Sequence, residues 1–208
     1  MICSVLIPSR GRPERLRKTI QSISDTSSKA NVEVLVRFDD DDAPSIAIVD
    51  QLLRDGIGVV VGPRRSGYPS IGEFYAELAA ASRGAWIWIM NDDAYVTGPS
   101  PKFDLSWDKQ LGRLPSTGVI VQPECYQLGH SKYWSSEGGA FPAVPNGCWT
   151  DFGEEFSGGA AVDTWLDQLL RVRNGWQTSF LDGVAVVHER DADDVLAKHR
   201  ELKPESTP

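Results

Sequence analysis

Five places along this 208-residue chain gather side chains able to hold charge or move a proton. Asn91-Asp92-Asp93 follows the apolar run Ala85–Met90, which carries two tryptophans. Asp39 to Asp42 sets four carboxylates in a row after Val32–Phe38. Pro8, Ser9, Arg10 and Arg12 follow Cys3–Ile7, Arg64 and Arg65 follow Gly58–Gly62, and His188-Glu189-Arg190 follows Gly183–Val187. Carboxylates with an imidazole are ligands for a divalent cation. Arginines and helix N-termini bind phosphate. A diphosphate bridged by a metal ion requires both sets at once, so a nucleoside diphosphate is the ligand this mixture implies.

Such a site works only if the clusters meet in space. The runs that precede them, with a further one at 118–122, have the length and β-branched content of buried strands. Between the early runs lie helical patterns. Pro13 opens "PERLRKTIQSIS", where Leu16, Ile20 and Ile23 share a face. "APSIAIVDQLLRDG" and "IGEFYAELAAASRG" end at Gly56 and Gly84, both read as C-terminal caps. Strand–helix alternation predicts an α/β domain on a largely parallel sheet, whose strand ends line one ligand-binding edge. Residues 98–160, rich in Pro, Gly, Ser and Trp, read as loops and short strands laid over the sheet. Helical spacing returns in "VDTWLDQLLRVRNG", with Trp165, Leu169 and Val172 on one side.

Bulk properties narrow the classes. A hydrophobic content of 41% with seven tryptophans supports a sizeable core. The formal net charge of −8 argues against a generic polyanion binder, whose affinity rests on neutralising phosphates, while leaving room for a local basic groove. Cys3, Cys125 and Cys148 are too few and too scattered for a disulfide framework or a zinc site. No apolar run approaches the roughly 18 residues of a membrane span. Met1–Pro13 carries its basic residues after its apolar run, the reverse of a secretory signal. The expectation is a cytoplasmic protein with reduced thiols and no membrane span.

Taken in order, "VLIPSRGRPERLRKTIQSI", the acidic end of the second strand, "RRSGYPSIGEFYAELAAASRGAWIWIMNDDA", "VDTWLDQLLRVRNGW" and "VAVVH" resemble a GT-A-fold glycosyltransferase, close to the family 2 type, from about Ser4 to Glu189. The resemblance implies a Rossmann-like, mostly parallel central sheet flanked by helices, with an irregular acceptor-side region. It implies one domain over 1–208: a nucleotide-sugar-binding half to about 97, an acceptor-side half over about 98–190 and a tail over 191–208. Asn91-Asp92-Asp93 takes the place of the family's DXD motif, with Asn in first position. Asp93 is then a ligand of Mn²⁺ or Mg²⁺, and Asp92 or Asn91 faces the sugar or ribose. His188 matches the late metal-binding His, and an imidazole favours Mn²⁺ over Mg²⁺.

Pro8, Ser9, Arg10 and Arg12 resemble the family's nucleotide-binding loop. Asp39 matches its base contact, and a carboxylate accepting a uracil N–H would select a UDP-sugar donor. Arg65, or Arg64 beside it, is a further contact to phosphate or base. Asp41 and Asp42 read as solvated loop or cap residues. Asp163 matches the catalytic base at a helix N-terminus, where Val162-Asp163 keeps only the second acid of the family's pair. Inverting sugar transfer needs a base to take the acceptor hydroxyl's proton as that oxygen attacks the anomeric carbon. An ordinary first-turn acid, favoured by the helix dipole, is the other reading of Asp163. Trp134, Phe141 and Trp149 either stack on the acceptor or form a core lid.

These readings make the chain a metal-dependent, inverting glycosyltransferase. A sugar-phosphate nucleotidyltransferase is the alternative enzyme, weakened by the lack of a Gly-rich, Arg-Lys phosphate loop. A non-catalytic nucleotide- or glycan-binding module is the alternative outside catalysis. The acceptor is left open among a glycan, a protein and a modified DNA base, with the acidic balance weighing against DNA.

Overall fold

The computed structural model describes residues 1–65, 70–128, 133–134, 141–152, 162, 166 and 168–189. Strict alternation of side chains builds its first layer. In β1 (Cys3–Pro8), Cys3, Val5 and Ile7 join one hydrophobic cluster and Leu6 the other. In β4 (Trp86–Ile89), Trp86 and Trp88 face the first cluster, Ile87 and Ile89 the second. Apolar residues on both faces suit a strand covered on both sides, and the helices supply the cover. α1 (Pro13–Thr26) lays Leu16 and Ile23 on the first face. α4 (Ile71–Ala81) lays Tyr75, Leu78 and Ala79 on the second.

β2 (Val32–Asp39) and β3 (Gly58–Gly62) complete a parallel unit in the order β3-β2-β1-β4, with Val5 in register between Val34 and Trp88. Parallel pairing throughout places all four C-terminal ends on one edge, and the order reverses beside β1. The exits of β1 and β4 therefore flank the point where such sheets open a crevice.

Beyond β4 the sheet turns mixed. β8 (Ala143–Pro145) runs antiparallel to β4 and to β6 (Val119–Leu128); β9 (Gln177–Glu189) runs parallel to β6 and antiparallel to β5 (Ala94–Thr97). β7 (Tyr133–Trp134) pairs with β6. The expected parallel sheet is thus its N-terminal half. Both β6 and β9 outrun the apolar stretches at 118–122 and 183–188, because pairing carries strand geometry into polar residues. A register shift between Gln122 and Glu124, where β9 advances from Phe180 to Ala185, takes up the extra length around Gly183 (φ 66°).

Several local expectations are corrected. The segment after Asp42 is two short helices, α2 (Ala43–Ile46) and α3 (Val49–Arg54), because a ψ of −2° at Ile48 interrupts the ladder. Gly56 does take positive φ, 82°. Gly84 is no cap: α4 stops at Ala81, and a Cβ on Gly84 would lie 2.5 Å from Ser4 N, so a close approach of backbones requires the glycine. Val172 is 66% exposed although helical spacing groups it with Leu169. Gln168–Arg173 is a π-helical turn, whose wider winding rotates Val172 off the stripe and brings Leu170 in beside Leu169. Trp165 lies outside the described residues.

α5 (Trp107–Leu111) closes the first face, with Trp107 edge-on to Trp88 at 4.7 Å between ring centroids. α6 (Gly147–Phe152) brings Cys148 and Trp149 to the second. All three cysteines are buried. Among the described residues no helix is long and apolar enough to cross a membrane.

Candidate active site

The exit of β4 is held from every side. Met90 N–H donates to Leu6 O (3.0 Å), the Tyr75 hydroxyl of α4 donates to Met90 O (2.9 Å), and the Thr19 hydroxyl of α1 donates to Asp92 O (3.0 Å). Glu189 N–H donates to Asp93 O at 2.9 Å, stapling the tip of β9 to the same turn. A strand buried on both faces thus delivers Asn91, Asp92 and Asp93 at a fixed point.

Around that point lies an acidic cluster. Asp92 is fully buried and Asp93 nearly so. The Ser9 hydroxyl donates to Asp92 Oδ2 at 2.7 Å. Arg12 donates from Nε to Asp92 Oδ2 (3.2 Å) and from Nη1 to Asp93 Oδ2 (3.1 Å). Its Nη2 lies 2.5 Å from Asp92 Oδ1, an ion pair without hydrogen-bond alignment. His188 Nε2 lies 3.1 Å from Asp93 Oδ1. Burial pushes the Asp92 carboxyl up to about 6; Arg12 and Ser9 pull against this, and the neighbouring Asp93 adds to it. Burial also pushes Asp93 upward, but the His188 ring and the Arg12 guanidinium outweigh it and hold that carboxyl below its ordinary range.

A second cluster sits at the exit of β2. Arg10 Nη1 donates to Asp39 Oδ2 (2.7 Å) and to Asp41 Oδ1 (2.5 Å), and Arg64 Nη1 reaches Asp41 Oδ2 at 3.3 Å. Asp39 Oδ1 is engaged from beneath by Arg37. Asp41 is exposed, as a loop acid should be, and the Arg10 guanidinium lowers its carboxyl first among several causes. Asp42 stands at the N-cap position of α2, as one of its two readings has it, but it is buried rather than solvated, and its Oδ2 accepts the Gly11 N–H at 2.7 Å, holding the tight turn (φ 69°) between Arg10 and Arg12. Arg37 escapes a hydropathy reading because it stands inside an apolar strand. The lone basic residue in "VEVLVRFD", two residues from Asp39 and so on the same face, is the signal that marks it.

The remaining candidates fall as follows. Pro8 ends β1, leading directly into Ser9. Tyr75 OH lies 3.3 Å from Asn91 Oδ1. Arg65 is bound to α4, contacting Glu73 and, at 2.5 Å, Glu77, whereas Arg64 reaches the Asp41 cluster. Phe141 is buried and packs edge-on against the His188 ring at 5.4 Å. Trp149 is buried in the second cluster with Val162 and Leu166. Asp163 and the Trp134 side chain lie outside the described residues.

Among the described residues no set of three His, Cys, Asp or Glu side chains could hold a metal ion unaided. Asp93 Oδ1 and His188 Nε2 nevertheless fit two adjacent positions of one. Ligands about 2.1 Å from an octahedral cation stand about 3 Å apart, and these atoms are 3.1 Å apart. A diphosphate and water would have to supply the remaining positions.

Residues 4–101 match the family model described as glycosyl transferase family 2, a family of sugar-transferring enzymes. The sequence matches no curated protein. Among solved structures it resembles S. aureus TarS 1–349 in complex with UDP-GlcNAc, at a TM-score of 0.70 and 12% identity over 95% of this chain and 61% of that one. TarS 1–349 in complex with UDP gives 0.67 and 13% over 92% and 61%. The structure titled simply S. aureus TarS gives 0.66 and 13% over 97% and 39%. At such identities the likeness is one of fold, an α/β domain with a helix-flanked sheet consistent with the GT-A type. The chain spans about three-fifths of the length of TarS 1–349.

Proposed function

We propose, from the premise that residues 4–101 are a glycosyl transferase family 2 domain, that the chain is a metal-dependent, inverting glycosyltransferase taking a UDP-sugar donor. The observation that carries this reading is the meeting of three strand tips: Arg12 after β1, Asp92 and Asp93 after β4, and His188 in β9, within hydrogen-bond reach of one another. Asp93 and His188 would hold Mn²⁺ or Mg²⁺, which when bound stabilises the charge growing on the departing diphosphate. Arg12, 36% exposed and holding Asp93 Oδ2, is the cation that must give way or turn to the phosphates as the donor enters. Ser9 and Asp92 keep the loop in place during that exchange. Asp39 would accept the uracil N–H. Asp163, carried over from the resemblance, would take the proton of the acceptor hydroxyl as that oxygen bonds to the anomeric carbon and the UDP oxygen leaves.

The protein incubated with UDP-sugars, Mn²⁺ and candidate glycan, protein or modified-DNA acceptors should release UDP and form a glycosylated product. A nucleotidyltransferase would instead turn over a nucleoside triphosphate with a sugar phosphate. Asp163→Asn should abolish turnover while UDP affinity persists; a binding module has no turnover to lose. Transfer unchanged in Asp163→Asn would contradict the assigned base.

A further inference from the structure

We propose that Arg37 is a positioning residue for nucleobase selection: it consumes the inward oxygen of Asp39 and leaves a single outward oxygen to read a ring N–H. The inference rests on Asp39 as the base contact. Arg37 is 2% exposed, beneath α4. Its guanidinium donates from Nη1 to Asp39 Oδ1, from Nη2 to Pro63 O at 2.6 Å and from Nε to Glu77 Oε2 at 3.1 Å. It also lies 4.1 Å from the centroid of the Phe74 ring. One planar group thereby ties the tip of β2, the exit of β3 and the face of α4.

The two oxygens of Asp39 then differ in kind. Oδ1 is locked to a buried cation with three other fixed contacts. Oδ2 faces Arg10, whose side chain is 41% exposed and already has a second partner in Asp41. Arg10 can release Oδ2 without losing charge compensation, whereas Arg37 has no such freedom. The carboxylate therefore cannot rotate, and it offers one acceptor in one direction. A base with a ring N–H at that edge, such as uracil, is accepted. Cytosine, which presents a lone pair there, meets a negative charge instead. A lysine cannot reproduce this, since a point charge does not span three divergent partners.

The test measures affinities for UDP and CDP with Mn²⁺ on the full chain, alongside thermal melts, for wild type, Arg37→Met, Arg37→Lys and Gly62→Ala. A Cβ on Gly62 would stand 3.1 Å from Arg37 Nη2, so this last variant displaces the guanidinium without touching a ligand-facing group. Wild type should prefer UDP by about tenfold or more, the scale of one charge-assisted hydrogen bond. Folded Arg37→Met should lose most of that preference through weaker UDP binding, Arg37→Lys should restore part of it, and Gly62→Ala should reduce it by about twofold. A folded Arg37→Met with the wild-type UDP/CDP ratio overturns the proposal. If Arg37→Met does not fold, an unchanged ratio in both other variants overturns it. Wild type binding UDP and CDP alike refutes the reading of Asp39 itself, a result visible before any substitution is made.

Discussion

The loop after β1 feeds two charge clusters, and they are built differently. At the exit of β4, two buried carboxylates and an imidazole face one guanidinium, Arg12. At the exit of β2, Asp39 and Asp41 face three guanidiniums, those of Arg10, Arg37 and Arg64. In the first cluster burial is the leading cost, and Asp92 registers it as a carboxyl pushed up to about 6 against the pull of Arg12 and Ser9. In the second, Asp39 and Asp41 are each paired with two guanidiniums. Buried carboxylates beside an imidazole suit a further cation. A compensated carboxylate with one exchangeable partner suits a neutral hydrogen-bond donor. Two residues of one loop, Arg10 and Arg12, separate these tasks, and the Gly11 turn held by Asp42 keeps them apart.

The contrast can be broken at its acid end first. Asp93→Asn should lower turnover by about a hundredfold or more in a transfer assay, because it removes both charge and a ligand atom from the leaving-diphosphate side. Arg12→Leu should cost roughly 3 kcal/mol of stability in chelator, seen as a lower midpoint in denaturant melts, by stranding Asp92 and Asp93. Mn²⁺ should restore more of that loss than it adds to wild type.

An ion pair at the opposite edge of the sheet is the control. The Glu33 carboxylate accepts from the Ser4 hydroxyl (2.6 Å), Arg83 N–H (2.6 Å) and the Arg83 guanidinium (2.8 Å). Burial alone would raise its carboxyl, yet these donors hold it below the ordinary 4.5. Its contribution is present above that pH and lost as pH falls through the lower, folded value. Glu33→Gln should therefore cost about 2 kcal/mol at neutral pH, with the gap to wild type closing in acid melts. At the compensated cluster, Arg10→Ala should scarcely move the melt, since exposed pairs contribute little. It should alter UDP affinity instead.

Much of this arrangement is legible in the residues alone. The apolar runs predict β1 to β4 with their polar exits, Pro13 opens α1 where expected, and Gly56 takes its positive φ. Parallel strands make the exits converge, so position in sequence translates directly into position in space. The mixed half lacks that rule. Whether β8 pairs with β4, or β9 with both β6 and β5, depends on long-range contacts that periodicity does not encode. Arg37 hides for a related reason: hydropathy treats a charge within an apolar strand as noise, and only the Asp39, Glu77 and Pro63 partners give it meaning. Gly84 misleads because a glycine after a helix usually signals a cap, whereas here the constraint comes from Ser4, 80 residues away in the chain.

The most direct test of a shared grip on a cation and a diphosphate is the thermal stabilisation of the chain by UDP, with Mn²⁺ or with chelator, in wild type, Asp93→Asn and His188→Ala. Ligand that binds only the folded state raises the melting point, so mutual dependence of UDP and Mn²⁺ appears as a combined shift larger than the sum of the separate ones. Wild type should show that excess, and both variants should lose it. UDP stabilisation that is equal in chelator, and equal in Asp93→Asn, would contradict the shared grip.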